Sequence, residues 1–132
     1  MEKTIVLEQL KDFKFAASYG GHEVILDIKE EDGGTDQGMT PGELLCTSLG
    51  ACTAMNIVQY CKTINMPLEG LKVQATYISD QEDTKTVKFV LKIILPGKMK
   101  EREKALKRVA DACYVKNTLC NPPEIKVEIE SL

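Results

Sequence analysis

The stretch Gly38-Met39-Thr40-Pro41-Gly42-Glu43-Leu44-Leu45 runs on through Cys46-Thr47-Ser48-Leu49-Gly50-Ala51-Cys52-Thr53-Ala54-Met55 to Cys61. Thr40, Pro41 and Glu43 form a helix start. The threonine hydroxyl and the glutamate carboxylate each satisfy a free backbone N–H, and the fixed φ of proline suits the first helical position. From Leu44 to Cys61 no residue is charged, and Ser48, Gly50, Ala51, Thr53 and Ala54 are mixed with Leu44, Leu45, Leu49, Met55, Ile57 and Val58. A helix of that composition is hidden on most sides. A membrane span is the competing reading, but the uncharged run is barely long enough and carries Thr47, Ser48, Thr53, Asn56 and Gln59. A central helix covered by other elements or by a partner subunit fits better, with no membrane involved.

Before this helix, Thr4-Ile5-Val6-Leu7, Phe13-Lys14-Phe15 and His22-Glu23-Val24-Ile25-Leu26-Asp27 are short apolar or alternating runs, set apart by charged and Gly-Gly punctuation. They predict three antiparallel strands. Residues 31–42 are rich in turn formers and predict a loop. After the helix, residues 71–78 and 86–95 predict a hairpin, the second run alternating Val87, Phe89, Leu91 and Ile93 against Lys88 and Lys92. Residues 99–112 predict a charged amphipathic helix with Leu106, Val109 and Ala110 inside, and 113–119 a separate short one. Asn121-Pro122-Pro123 ends it. Ile125, Val127 and Ile129 alternate with Lys126, Glu128 and Glu130 and predict a last strand. The whole is an α+β chain.

With 132 residues and 43% hydrophobic content, the chain has room for one domain, residues 1–132, with a real core. Charged residues make up 28% of it and the net charge is −3, with no Trp, three Phe and four Tyr. That balance leaves neither a basic surface nor a stacking platform for nucleic acid. Met1-Glu2-Lys3-Thr4 leads directly into charged, alternating sequence without a secretory signal, so the cytoplasm is the expected location. There the five cysteines, Cys46, Cys52, Cys61, Cys113 and Cys120, stay mostly reduced. No pair has C-x-x-C spacing and the single histidine, His22, is distant in sequence, so neither a metal site nor a cofactor is expected.

The order strands, uncharged helix, hairpin, two helices, strand resembles the OsmC and organic hydroperoxide resistance family. Thr40-Pro41-Gly42-Glu43-Leu44-Leu45 looks like its Pro-x-Glu-Leu-Leu opening to a central helix that bears the first cysteine, here Cys52. Cys113-Tyr114-Val115-Lys116-Asn117-Thr118-Leu119 resembles its second cysteine segment, where proline often replaces Tyr114. The resemblance implies antiparallel sheets wrapped around a buried central helix and an intertwined homodimer. It also implies two active sites at the subunit interface, each reducing peroxide through a cysteine pair that an external dithiol restores. Cys52, Cys113 and, by motif, Glu43 are then the site residues. The family also pairs that glutamate with an arginine from the early strands. Here the only arginines are Arg102 and Arg108, so that residue does not carry over, and His22 is the other early cation considered.

Two cysteines suit the chemistry because a thiolate that attacks a peroxide becomes a sulfenic acid, which a second thiol condenses with before further oxidation. Glu43 lies nine residues before Cys52, about 13 Å along a helix and on its opposite face, so one helix does not bring them into contact. Structural readings stand beside these. Cys46 and Cys61 suit packing in an uncharged helix, Cys120 reads as a surface or rim thiol, Glu43 has its capping role, and His22 reads as a solvated strand-end residue. The alternative functions are a non-enzymatic dimer that binds a small hydrophobic or thiol ligand at its interface, and a persulfide or other sulfur carrier using Cys52.

Overall fold

The first strands form because two tight turns fold the chain back on itself. In the computed structural model, which describes residues 1–80, 85–97 and 99–132, β1 (Val6–Lys11), β2 (Lys14–Tyr19) and β3 (His22–Leu26) make an antiparallel sheet in that order. Gly20 and Gly21, at φ 58° and 80°, supply the left-handed turn between Tyr19 and His22, the geometry a two-residue hairpin loop requires. The first strand begins later than its apolar run and extends to Lys11, because the register is set by the pairing of Lys11 with Lys14 across the turn.

Asp27 organises the connection that follows. Its carboxylate is 2% exposed and accepts from Ile28 N at 2.8 Å, Thr35 Oγ1 at 2.6 Å, and Thr35 N and Gln37 N at 3.2 Å. The Thr35 hydroxyl above all, with these amides, holds the carboxyl below its ordinary range against the opposing effect of burial. A 3-10 turn at Glu30–Asp32 sits inside this loop, and Met39 bridges back to Leu26.

The helix α1 (Pro41–Thr63) starts as its sequence predicts. Thr40 N donates to the Glu43 carboxylate at 2.9 Å and Glu43 N to the Thr40 hydroxyl at 3.2 Å, a reciprocal cap. One stripe is buried: Cys46, Leu49, Gly50, Thr53, Ile57 and Cys61 recur at helical spacing. On the other side Leu45, Met55 and Val58 are 40%, 70% and 37% exposed. The chain alone covers this uncharged helix on one side.

The chain packs as two compact units, Met1–Thr47 and Ser48–Leu132. In the second, β4 (Lys72–Ser79) and β5 (Thr86–Ile94) pair antiparallel, setting Val73 opposite Ile93, Ala75 opposite Leu91 and Tyr77 opposite Phe89. Gly50 lets α1 approach this sheet, because a Cβ there would meet the Ala75 Cβ at 3.1 Å. The core joins Ile57 and Cys61 of α1 to Met99 and to Leu106 of α2 (Glu103–Asp111), with Leu68, Ile93 and Val109 around it. Burying Leu106 alone contributes about 1.5–3 kcal/mol. A last helix, α3 (Tyr114–Cys120), ends at Asn121-Pro122-Pro123 as the two prolines require.

Two antiparallel sheets and three α-helices among the described residues make the fold α+β. The predicted final strand is corrected. Ile125, Val127 and Ile129 are 82%, 81% and 92% exposed, and residues 124–130 join neither sheet formed by the described residues. Their alternation is that of a strand, but a strand exists only where another edge accepts its backbone hydrogen bonds.

Candidate thiol site

Cys52 lies on α1, half-buried, immediately before the fully buried Thr53 and one turn before Asn56. Cys113 is held by the junction of the last two helices. After Asp111, the Ala112 N–H closes on Val109 O at 3.2 Å. Cys113 then takes an extended backbone, φ −71° and ψ 131°, as the N-cap of α3, and its carbonyl accepts the first helical bond from Asn117 N at 2.9 Å. Asn56 Nδ2 reaches the Ala112 carbonyl at 3.5 Å. The helix of one cysteine thus holds the residue before the other, and Cys113 is fully buried beside Cys52.

Burial pushes the Cys113 thiol up, but donor groups around it that favour the thiolate oppose and outweigh that effect. The Cys52 S–H leads, followed by the Lys116 N–H, the Thr53 hydroxyl and the Val115 N–H, and the net result is a thiol more acidic than usual. Val115 and Lys116 are the second and third residues of α3, the amides an N-cap side chain meets. The neutral sulfur forms no capping bond; the thiolate is the form these donors favour. Likewise the buried Thr53 hydroxyl has no partner among the described residues while Cys113 is a thiol, and acts as a donor once it ionises. Lys116, tied to Asp111 at 2.9 Å, adds its positive charge near both Cys113 and Cys120.

The remaining cysteines differ. Cys46 and Cys61 are 4% and 1% exposed, and burial raises both thiols, which makes them poor nucleophiles. Cys120 is exposed at the end of α3. In the first unit, Glu43 keeps its capping role and lies 3.6 Å from Lys29 Nζ, which also meets Asp36 at 3.0 Å. The Thr40 N–H chiefly, and then the Lys29 charge, hold the Glu43 carboxyl below its usual range. The cation beside the glutamate is therefore Lys29. His22 is exposed at the start of β3, opposite Tyr19, and Arg102 and Arg108 are exposed near or on α2.

Sequence reasoning singled out Cys52, Cys113 and Glu43 and missed Thr53, Asn56, Lys116 and Lys29. The first three of these fall within four residues of a chosen cysteine, a signal that could have found them. Lys29 has no such signal, because the Asp27-centred loop brings it to Glu43.

The family described as OsmC-like protein matches this chain over residues 34–128. No curated protein matches the sequence. Among solved structures, the chain is similar to an osmotic stress induced and detoxification response protein of Psychrobacter arcticus. They share 18% identity at a TM-score of 0.82, over 89% of this chain and 88% of that one. An OsmC-like protein of Mycoplasma pneumoniae is 18% identical at TM-score 0.74, over 92% and 89% of the two chains. An organic hydroperoxide resistance protein, OsmC, of Legionella pneumophila is 17% identical at TM-score 0.62, over 90% and 89%.

Proposed function

Because the chain belongs to the OsmC-like protein family, we propose that its role is redox-related and that it reduces organic hydroperoxides or hydrogen peroxide through Cys52 and Cys113. The observation that carries this reading is the burial of Cys113 beside the half-buried Cys52, among donors that favour a Cys113 thiolate. The similar Legionella pneumophila protein is named for organic hydroperoxide resistance, which supports the substrate class.

Cys52 is the attacking sulfur in this scheme, since it is half-buried whereas Cys113 is wholly buried. Its proton passes to Cys113 or to solvent. The Cys52 thiolate bonds to one peroxide oxygen, the O–O bond breaks, and the other oxygen leaves as the alcohol, or as water from hydrogen peroxide, after taking a proton. The Cys113 thiolate then attacks the sulfenic sulfur and expels its oxygen as water, leaving a disulfide. An external dithiol reduces that disulfide by exchange and is itself oxidised. Glu43, with Lys29 beside it, acts as an orienting group for peroxide in the complete assembly.

That assembly is a homodimer in this proposal. The exposed Leu45, Met55 and Val58 side of α1 and the unpaired alternating residues 124–130 support it, because each lacks within its own chain the cover its pattern calls for. The cytoplasm, where dithiol reductants are present, is the proposed setting. A second reading, a non-enzymatic dimer that binds a small hydrophobic ligand, draws support from a cavity of about 660 Å³ in the second unit.

Mass spectrometry of the reduced protein after stoichiometric tert-butyl hydroperoxide tests the enzyme reading. It expects rapid formation of a Cys52–Cys113 disulfide that dithiothreitol reverses. Oxidation no faster than that of a free thiol leaves the binding reading in its place.

A further inference from the structure

The cavity of about 660 Å³ lies among α1, β5, α2 and α3, a size ordinary for a small-molecule site. Leu49, Phe89, Leu91, Ile93, Leu106 and Leu119 form much of its wall. Thr53 also lines it, and this side chain is fully buried with a hydroxyl that lacks a hydrogen-bond partner among the described residues. A buried hydroxyl in that state favours any molecule that brings it a partner. The charged lining groups balance: Glu103 and Asp111 stand with Lys107 and Lys116, and Asp111 and Lys116 meet at 2.9 Å. No net charge in the lining selects an ion.

We propose that this cavity binds a neutral, largely apolar molecule carrying one hydroxyl or carbonyl group, whose polar end pairs with the Thr53 hydroxyl and so keeps that donor from a Cys113 thiolate. Binding stands apart from peroxide chemistry; only its regulatory consequence rests on the thiol-pair reading. The alcohol left when an organic hydroperoxide is reduced has this chemistry. Its retention weakens support for the Cys113 thiolate and slows disulfide closure until the alcohol leaves.

The test uses the reduced full-length protein and no peroxide, so failure of the peroxidase reading does not decide it. 1-Octanol, n-heptane and sodium octanoate are titrated separately, and methyl resonances of Leu49, Leu91, Leu106 and Leu119 are followed by NMR. 1-Octanol is expected to shift them saturably and to bind more tightly than either other probe, by about two- to tenfold over heptane for one hydrogen bond. Thr53→Val is expected to abolish the preference for octanol over heptane. Ala110→Phe, or Leu119→Trp at the rim as a second filling variant, is expected to remove binding. In parallel, iodoacetamide labelling of Cys113, read by peptide mass spectrometry, is expected to slow several-fold with octanol in the wild type and not in Thr53→Val. Octanoate binding more tightly than octanol overturns the neutral-ligand assignment. Absent shifts, including those caused by a second copy filling the cavity, or shifts that survive both filling variants, overturn the site. Unchanged labelling at saturating octanol overturns the coupling to Cys113.

Discussion

Asn56 Nδ2 donates to the main-chain oxygen of Ala112 at 3.5 Å, so the helix that presents Cys52 also restrains the residue before Cys113. The bond is long and its energy modest, yet it bears on the separation of the two sulfurs that the proposed disulfide joins. In Asn56→Ala the fold is expected to lose about 0.5–1.5 kcal/mol, the usual value of one such bond. Disulfide formation should slow more than initial oxidation of Cys52. Stopped-flow peroxide consumption beside quenched mass spectrometry separates the steps, and equal slowing of both shows that Asn56 does not position Cys113.

The acidity of Cys113 links stability to pH with a definite sign. Its folded-state pKa lies below the unfolded one, so over the interval between them the unfolded chain binds more protons. The stabilising contribution is full above the unfolded value, about 8.5, and is lost as pH falls through the folded value. Urea midpoints of wild type relative to Cys113→Ser should therefore diverge in favour of wild type as pH rises towards that value. A constant difference across the range shows that the thiolate is not preferentially held.

Local rules made much of this molecule legible. Thr40, Pro41 and Glu43 make a cap from residues in one turn, and the alternation around Phe89, Leu91 and Ile93 names both the strand and its inner face. The sequence also puts the segment that begins at Cys113 on a short helix, whose N-cap that cysteine is. What escaped depends on longer-range placement. Lys29 meets Glu43 because a loop closes around Asp27, and Asn56 reads as one neutral amide in an uncharged helix until Ala112 lies beside it. Residues 125–129 show the opposite case, a legible strand pattern whose pairing edge is not found in the described sheets.

Asp27 explains why the loop carrying Lys29 holds its form. Asp27→Asn replaces an acceptor oxygen with a donor facing amides, which leaves at least one buried group unsatisfied and costs about 1–3 kcal/mol. Equilibrium urea unfolding checks the loss, and a value within a few tenths of wild type contradicts the clamp.

Cys46→Ala and Cys61→Ala separate packing from chemistry. Both side chains are buried and both thiols are raised by burial. Each substitution is expected to cost about 1 kcal/mol in the range typical of core changes while peroxide turnover survives. Lost turnover in a folded Cys61→Ala protein means that the reactive pair has been chosen wrongly.

Dimer formation is testable at residues 124–130. The full chain is expected to sediment as a dimer without a stable monomer, because its uncharged helix side and alternating terminal segment both lack cover. Val127→Asp combined with Ile129→Asp should weaken that dimer. A folded wild-type monomer at micromolar concentration counts decisively against the intertwined architecture.

The order of attack within the pair sets access against acidity. Cys113 has the stronger support for a thiolate, but it is fully buried, whereas Cys52 is half-buried on a packed helix. Peroxide must reach the attacking sulfur, while the second sulfur needs only to be nucleophilic when the sulfenic acid appears beside it. Acidity therefore suits Cys113 to resolution, and access suits Cys52 to attack. Cys113→Ser is expected to consume about one equivalent of hydroperoxide and accumulate a dimedone-trappable sulfenic acid on Cys52. Cys52→Ser is expected to consume almost none. Sulfenic acid trapped on Cys113 in Cys52→Ser reverses the roles and shows that acidity, rather than exposure in the single chain, decides which sulfur the peroxide meets.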